Sequence, residues 1–264
     1  MFAVEPPPSQ ADLHFRVLGF PVRVSPWFWG VTVFMALNGG EKVDPKDVLV
    51  WVGVVFVSIL VHELGHAVLQ RRFGGRPRIV LYGFGGLAIS DDRDRSPQSQ
   101  ILISLAGPTA GFLFAAIVLA GCYLAGHSVF PVHDMNKTSI ERWLAEFQNG
   151  VWFFDVPGFT FGFEGFESFW ANLAMRDLLY VNIWWGLVNL LPIYPLDGGR
   201  VSRELFTLNQ PRQGIIQSLW LSAVVAAAFA VFGLARGSIF TAIMFGYLAY
   251  ANYQNIQAYD RQWG

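Results

Sequence analysis

The chain has 264 residues, 53% of them hydrophobic and 14% charged, with a net charge of −1 and a mean hydropathy of +0.40. Soluble domains carry about 25% charged residues, so this composition excludes a single apolar core under a polar shell and fits a bundle whose solvent is lipid. The near-zero charge gives no electrostatic case for nucleic acid, and the only cysteine, Cys122, excludes an intrachain disulfide framework.

In chain order, residues 1–12 contain Glu5, three prolines from Pro6 and polar residues to Asp12. They lack the basic region and apolar core of a signal peptide and read as a flexible tail. His14 to Val24 alternates apolar and polar residues around Gly19 and Pro21, the pattern of a short hairpin or edge strand at the membrane surface. A first span runs from about Pro26 to Leu37, with Trp27 and Trp29 as interfacial anchors. It is short, because a full crossing needs about 20 residues. A second span covers about Val48 to Gln70 and ends at Arg71 and Arg72.

Ile79 to Ser90 mixes β-branched and aromatic residues with Gly83, Gly85 and Gly86, which predicts strands with a tight turn. Asp91 to Arg95 is a solvated turn. A third span runs from about Ile101 to Leu124, with Gly107, Pro108 and Gly111 near its start, where small residues permit close helix approach. An insert of about 126–176 then leaves the membrane. From Gly126 to Asn172 it is acidic, with Asp134, Glu141, Glu146, Asp155, Glu164 and Glu167 against Lys137 and Arg142. Within it Ser139 to Phe147 reads as a short amphipathic helix, and Trp152 to Trp170 as an aromatic surface segment.

A fourth span, about Leu178 to Leu191, breaks at Pro192 and Pro195, and two more come after it at about Ile215 to Leu234 and Ile239 to Tyr253. The fold class expected is therefore an α-helical polytopic membrane protein with six transmembrane helices and a small membrane-associated β-hairpin or sheet. Six arginines lie between Arg71 and Arg95, and Arg200, Arg203 and Arg212 lie beyond the fourth span. The positive-inside rule makes that side cytoplasmic, with both termini there.

The second span carries His62-Glu63-Leu64-Gly65-His66. Histidines four apart lie one helical turn apart on one face, so both imidazoles can reach one metal ion. A glutamate beside the first histidine is the usual general base of a zinc hydrolase. Ionisable groups inside a span are costly and read as functional. A catalytic zinc site usually takes three protein ligands and an open water position. His66 lies five residues, roughly 8 Å, before Arg71, and His62 is about 6 Å deeper. The third ligand must match that depth on the basic side. Asp197 does, three residues before Arg200 in a helix break flanked by prolines and glycines. Asp47 and Asp177 lie toward the other side, and Glu204 is past the basic boundary.

These two motifs, His62 to His66 in one span and Asn189 to Arg200 in a later one, resemble the site-2 protease family of intramembrane zinc metalloproteases. Ser104 to Pro108 and the Gly85-Gly86 segment also resemble family sequences, and the similarity runs from about Phe15 to Tyr253. The resemblance implies one Zn2+ per chain held by His62, His66 and Asp197, a water activated by Glu63, and Asn189 against the substrate backbone. The family often has a proline where this chain has Leu190.

The resemblance leads to the expectation of a single transmembrane metalloprotease domain over 13–264, without PDZ or nucleotide-binding domains, in a prokaryotic inner or plasma membrane, with its site toward the cytoplasm. Its substrate would be a single-span membrane protein in the bilayer, cut within or near its span in regulated intramembrane proteolysis. That span would unwind and pair as a strand with the edge formed by Ile79 to Ser90. The competing class is a transporter with an intramembrane metal site. No internal repeat supports it, and a glutamate beside the first histidine suits hydrolysis better than ion passage.

Overall fold

The computed structural model describes residues 5, 7–37, 44–83, 85–91, 94–132, 147–208 and 210–263. In order the elements are β1 (Leu13–Val17), β2 (Phe20–Val24), α1 (Pro26–Leu37), α2 (Pro45–Arg72), β3 (Arg78–Tyr82), β4 (Gly85–Ile89), α3 (Pro97–Leu124), β5 (Val129–Val132), β6 (Val151–Val156), β7 (Phe159–Glu164), α4 (Phe169–Asn189), α5 (Asp197–Thr207), α6 (Pro211–Ala235) and α7 (Ile239–Trp263).

The long helices α2 and α3 start where the sequence provides a cap. Asp44 accepts from the Lys46 N–H at 2.8 Å ahead of Pro45, and Ser96 accepts from the Ser99 N–H ahead of Pro97. Each side chain takes one of the N–H groups that a helix leaves unpaired at its start. The helices are inside out relative to a soluble protein. On α2 the buried set includes Ser58, His62, Glu63, His66 and Gln70, while Leu49, Val57 and Val68 are exposed. Leu102, Leu113 and Ile117 of α3 and Val224, Val231 and Phe232 of α6 also face outward. Polar groups inside and apolar groups outside suit hydrocarbon surroundings.

Among the described residues three helices, α2, α3 and α6, are long and apolar enough to cross a membrane, with mean hydropathies of 2.2, 2.1 and 2.1. The other three expected spans differ for identifiable reasons. α1 has 12 residues, about 18 Å of helix. α4 carries Asn172, Arg176, Asp177, Asn182 and Asn189 along its 21 residues. The second half of α7 carries Asn252, Gln254, Asn255, Gln257 and Arg261. α4 also starts at Phe169, well before the expected Leu178. Ser168 caps it by accepting from the Ala171 N–H, and its first turns pack under the insert.

Two small sheets flank the helices. β1 to β4 form one sheet in that order, antiparallel, parallel and antiparallel, so the segment expected as a hairpin or edge strand is a hairpin and shares one sheet with the strands expected over Ile79 to Ser90. Val22, Val24, Ile79 and Leu81 pack with Val54, Val55, Ile59 and Ala67 of α2. Glu5 pairs with Arg23 and Arg78, and Asp12 with Arg23, so the segment expected to be a tail is tied to this sheet at two points. The second sheet, ordered β5-β7-β6, is built from the insert. Its Phe154 and Phe163 pack with Cys122, Met175 and Leu179, so part of the aromatic segment expected at the surface forms strands with these two rings turned to the bundle, while Phe159 and Phe169 are exposed. The helix expected over 139–147 lies outside the described residues except for Phe147.

Candidate metal centre

The site is assembled from three elements. α2 supplies His62, Glu63 and His66, all buried. α5 supplies Asp197, its first residue. α3 packs behind them. Asp197 is carried to this depth by the loop 190–196 that comes after α4. Ile193 of that loop is fully buried with Ala226 and Phe245. The Tyr194 N–H donates to Ser222 Oγ at 3.0 Å on α6, and Asn252 Nδ2 on α7 donates to Tyr194 O at 2.7 Å. These backbone groups are thus satisfied inside the protein, which irregular backbone at membrane depth requires.

Three candidate ligand atoms converge. His62 Nε2 lies 3.1 Å from Asp197 Oδ2, His66 Nε2 lies 3.3 Å from the same oxygen, and the two Nε2 atoms are 3.2 Å apart. Each carries a lone pair in its metal-binding form, so the near-equilateral triangle favours a shared cation at its centre. Tetrahedral ligands with bonds of about 2.0–2.1 Å are about 3.3 Å apart, so this triangle fits three corners of such a site. His66 Nδ1 lies 2.7 Å from Ile103 O. A proton on Nδ1 donated to that carbonyl leaves Nε2 as the free donor, the arrangement usual behind a ligating histidine. His62 Nδ1 is buried without a partner among the described residues.

Glu63 stands beside the triangle, with a carboxylate oxygen within 4.8 Å of ligand nitrogens of both histidines. Two glycines make room. A Cβ on Gly107 of α3 would overlap Nε2 of both histidines, and one on Gly86 of β4 would overlap the Glu63 side chain. Both positions, and the Ile103 carbonyl, escape a reading of the sequence as parts of the site. The glycine-rich patterns are visible there, but their partners are not. Asn189, the remaining residue expected at the site, is the last residue of α4 and buried, and its Nδ2 donates to Trp185 O at 2.9 Å. The residues after it touch the start of α5, since Gly198 packs against the backbone of Leu190 and Leu191.

β4 is an edge strand among the described residues. Leu81 O accepts from the Ser25 N–H, so Leu81 faces β2, as does Ile79 by alternation. Their partners in β4 are Gly86 and Ala88. These are therefore the pairs without ladder bonds, and the N–H and C=O of Gly86 and Ala88 point out from the sheet. The open edge begins beside Glu63.

The chain spans about half the length of the curated relatives it matches. It is similar to zinc metalloprotease MJ0392 of Methanocaldococcus jannaschii, 22% identical over 226 residues that cover 84% of this chain and 52% of that one. It is similar to putative zinc metalloprotease Rip3 of Mycobacterium tuberculosis, 28% identical over 253 residues, 84% of this chain and 53% of the other. It also matches stage IV sporulation protein FB of Bacillus subtilis, 26% identical over 194 residues, 73% of this chain and 50% of that one. Among solved structures, a site-2 protease from Methanocaldococcus jannaschii superposes with a TM-score of 0.56 at 20% identity, covering 93% of this chain and 95% of that one, which shows the same fold. The family model of peptidase family M50 matches residues 50–231, more than half of the chain and the stretch holding both motifs; the chain belongs to peptidase family M50.

Proposed function

We propose that this chain is an intramembrane zinc metalloprotease that hydrolyses a peptide bond within or near the span of a single-span membrane protein, as a step of regulated intramembrane proteolysis. The observation that carries the reading is the triangle of His62 Nε2, His66 Nε2 and Asp197 Oδ2 with Glu63 at its side. Two imidazoles and a carboxylate with an open fourth position suit catalytic zinc, and one Zn2+ per chain is held there. When bound, zinc lowers the pKa of a water to about 7 and polarises the scissile carbonyl. Glu63 takes the proton of the attacking water and returns it to the leaving amine. Burial of all four side chains keeps lipid and bulk water away from that exchange. Asn189, at the turn into the ligand loop, binds the substrate backbone once its side chain leaves Trp185.

The substrate's span unwinds and pairs with β4, because a helical peptide bond is shielded by its own hydrogen bonds. Gly86 and Ala88 offer the backbone groups for that pairing. Proline at position 88 removes one outward N–H without breaking a ladder bond. A88P should retain zinc and lose cleavage; undiminished cleavage would remove β4 as the docking edge.

In the bilayer the chain is one domain over 13–264, with six spans, α1, α2, α3, α4, α6 and α7. The basic ends of α2 and α5 face the cytoplasm with both termini, and the sheet β5 to β7 lies in an extracytoplasmic insert of about 126–176, in a prokaryotic plasma membrane. Reactivity of single cysteines placed at 76 and 158 toward an impermeant reagent on intact cells tests this orientation. Labelling at 158 alone is expected, and labelling at 76 would reverse it.

A further inference from the structure

The edge of β4 is not uniformly open. Gln70, on α2 one turn beyond His66, is buried, and its Nε2 donates to Ala88 O at 3.1 Å. That carbonyl points out of the sheet, as the pairing of β2, β3 and β4 requires. An incoming strand would use Gly86 and then Ala88, since outward groups recur every second residue. Gln70 takes the acceptor at the second position. Among the described residues Gly86 keeps both its N–H and its C=O, and it lies flush against Glu63. The carboxamide does little for itself there. Its Oε1 is buried with no partner among the described residues, an arrangement that costs free energy.

We propose that Gln70 is a positioning residue that sets the register of the substrate strand on β4. The inference rests on the strand-pairing reading under the proposed function and deepens it. An extended segment slips in steps of two residues, because a one-residue slip turns every side chain to the other face. A two-residue slip moves the chain by about 6.6–6.8 Å, which carries a different peptide bond to Glu63. Only a short stretch of the substrate is unwound, so a two-residue slip carries that stretch from Gly86 to Ala88; with Ala88 O occupied, it gains its full set of bonds only at Gly86. Because Gln70 shares α2 with His62, Glu63 and His66, the stop is fixed to the helix that carries the base and two of the ligands.

The test uses the full chain with Glu63→Gln, so that bound substrate is not consumed, and Leu87→Cys on β4. The Leu87 side chain points to the opposite face from Gly86 and Ala88. A series of single-span peptides, each with one cysteine at successive positions, is cross-linked to it by disulfide formation. With Gln70 present, one cross-linking maximum is expected. With Gln70→Met, which keeps length and loses the donor, a second maximum two residues away should rise about fivefold, the ratio carried by one net hydrogen bond. Gln70→Glu, which also lacks the donor, should do the same, and zinc content checks that each variant is folded. A single unmoved maximum in the folded variants overturns the role of Gln70. Cross-links spread evenly along the peptide in every protein would overturn strand pairing at β4, and the register role with it.

Discussion

Asp197 Oδ2 lies 3.1 Å from His62 Nε2, although the two residues are 135 positions apart in the chain. The contact depends on α4 ending at Asn189 and on a buried loop that returns the chain to the depth of His62. The first consequence concerns metal. His62→Ala, His66→Ala and Asp197→Ala should each drop zinc well below one per chain in the purified protein. Glu63→Gln should keep it, and cleavage should fall by a factor of about 10²–10⁴ or more, the usual contribution of a general base. Elemental analysis beside a cleavage assay checks both.

Gly107 and Gly86 separate the two halves of the site. A methyl on Gly107 meets Nε2 of both histidines, so G107A should weaken zinc binding. A methyl on Gly86 meets Glu63, so G86A should retain zinc and lower kcat. Zinc titration against a competing chelator, with kcat measured at saturating zinc, distinguishes the two. The same loss of zinc in both variants would contradict this division.

Asn252 holds the loop 190–196 from a distance. It is almost fully buried and donates to both Tyr194 O and Leu248 O. Asn252→Ala leaves Tyr194 O unpaired in the interior, at a cost of about 1–3 kcal/mol. Thermal unfolding should shift down, and zinc should dissociate faster because the loop carries Asp197. The conservative Asn252→Gln should recover part of both.

The N-terminal segment gives a prediction about acid. Glu5 is held below the ordinary carboxylate range, first by the hydrogen bond from Arg78 and then by the charges of Arg78 and Arg23. A lowered carboxylate pKa contributes stability above its unfolded value and loses it as pH falls through the folded value. Residues before Leu13 should thus become more sensitive to proteolysis only below the ordinary glutamate range, and Glu5→Gln should show that sensitivity at neutral pH. The pairs are partly exposed, so the effect on global stability should stay under about 1 kcal/mol.

Much of the site is legible in the sequence because its logic is local or geometric. His62, Glu63 and His66 follow from a spacing of four in an apolar helix. Asp197 follows from depth and from the prolines that break the chain after α4. The hairpins at β1–β2 and β3–β4 follow from alternation and glycine. The remainder is tertiary. Nothing near Gly107 or Gly86 names the side chain each one faces. The bond from Asn252 to Tyr194 joins residues 58 apart, and no periodicity encodes it. α5 reads as a basic boundary because Gly198 and Gly199 argue against a helix, yet both are buried against the loop 190–194, where packing outweighs their low propensity. The spans are unevenly legible for the same reason. α4 and α7 bury polar residues such as Asn182, Asn189 and Asn252 toward their neighbours, which dilutes the apolar signal that marks α2, α3 and α6.

In the proposed mechanism Glu63 acts on a water at a zinc ion held by His62, His66 and Asp197. The most direct measurement offers a panel of single-span substrates to purified wild type and Glu63→Gln, each assayed for bound zinc, with and without a chelator. Cleavage by the wild type alone, abolished by the chelator and restored by zinc, with equal zinc in both proteins, is the predicted result. Equal cleavage by both proteins, or cleavage indifferent to the chelator, would contradict the account.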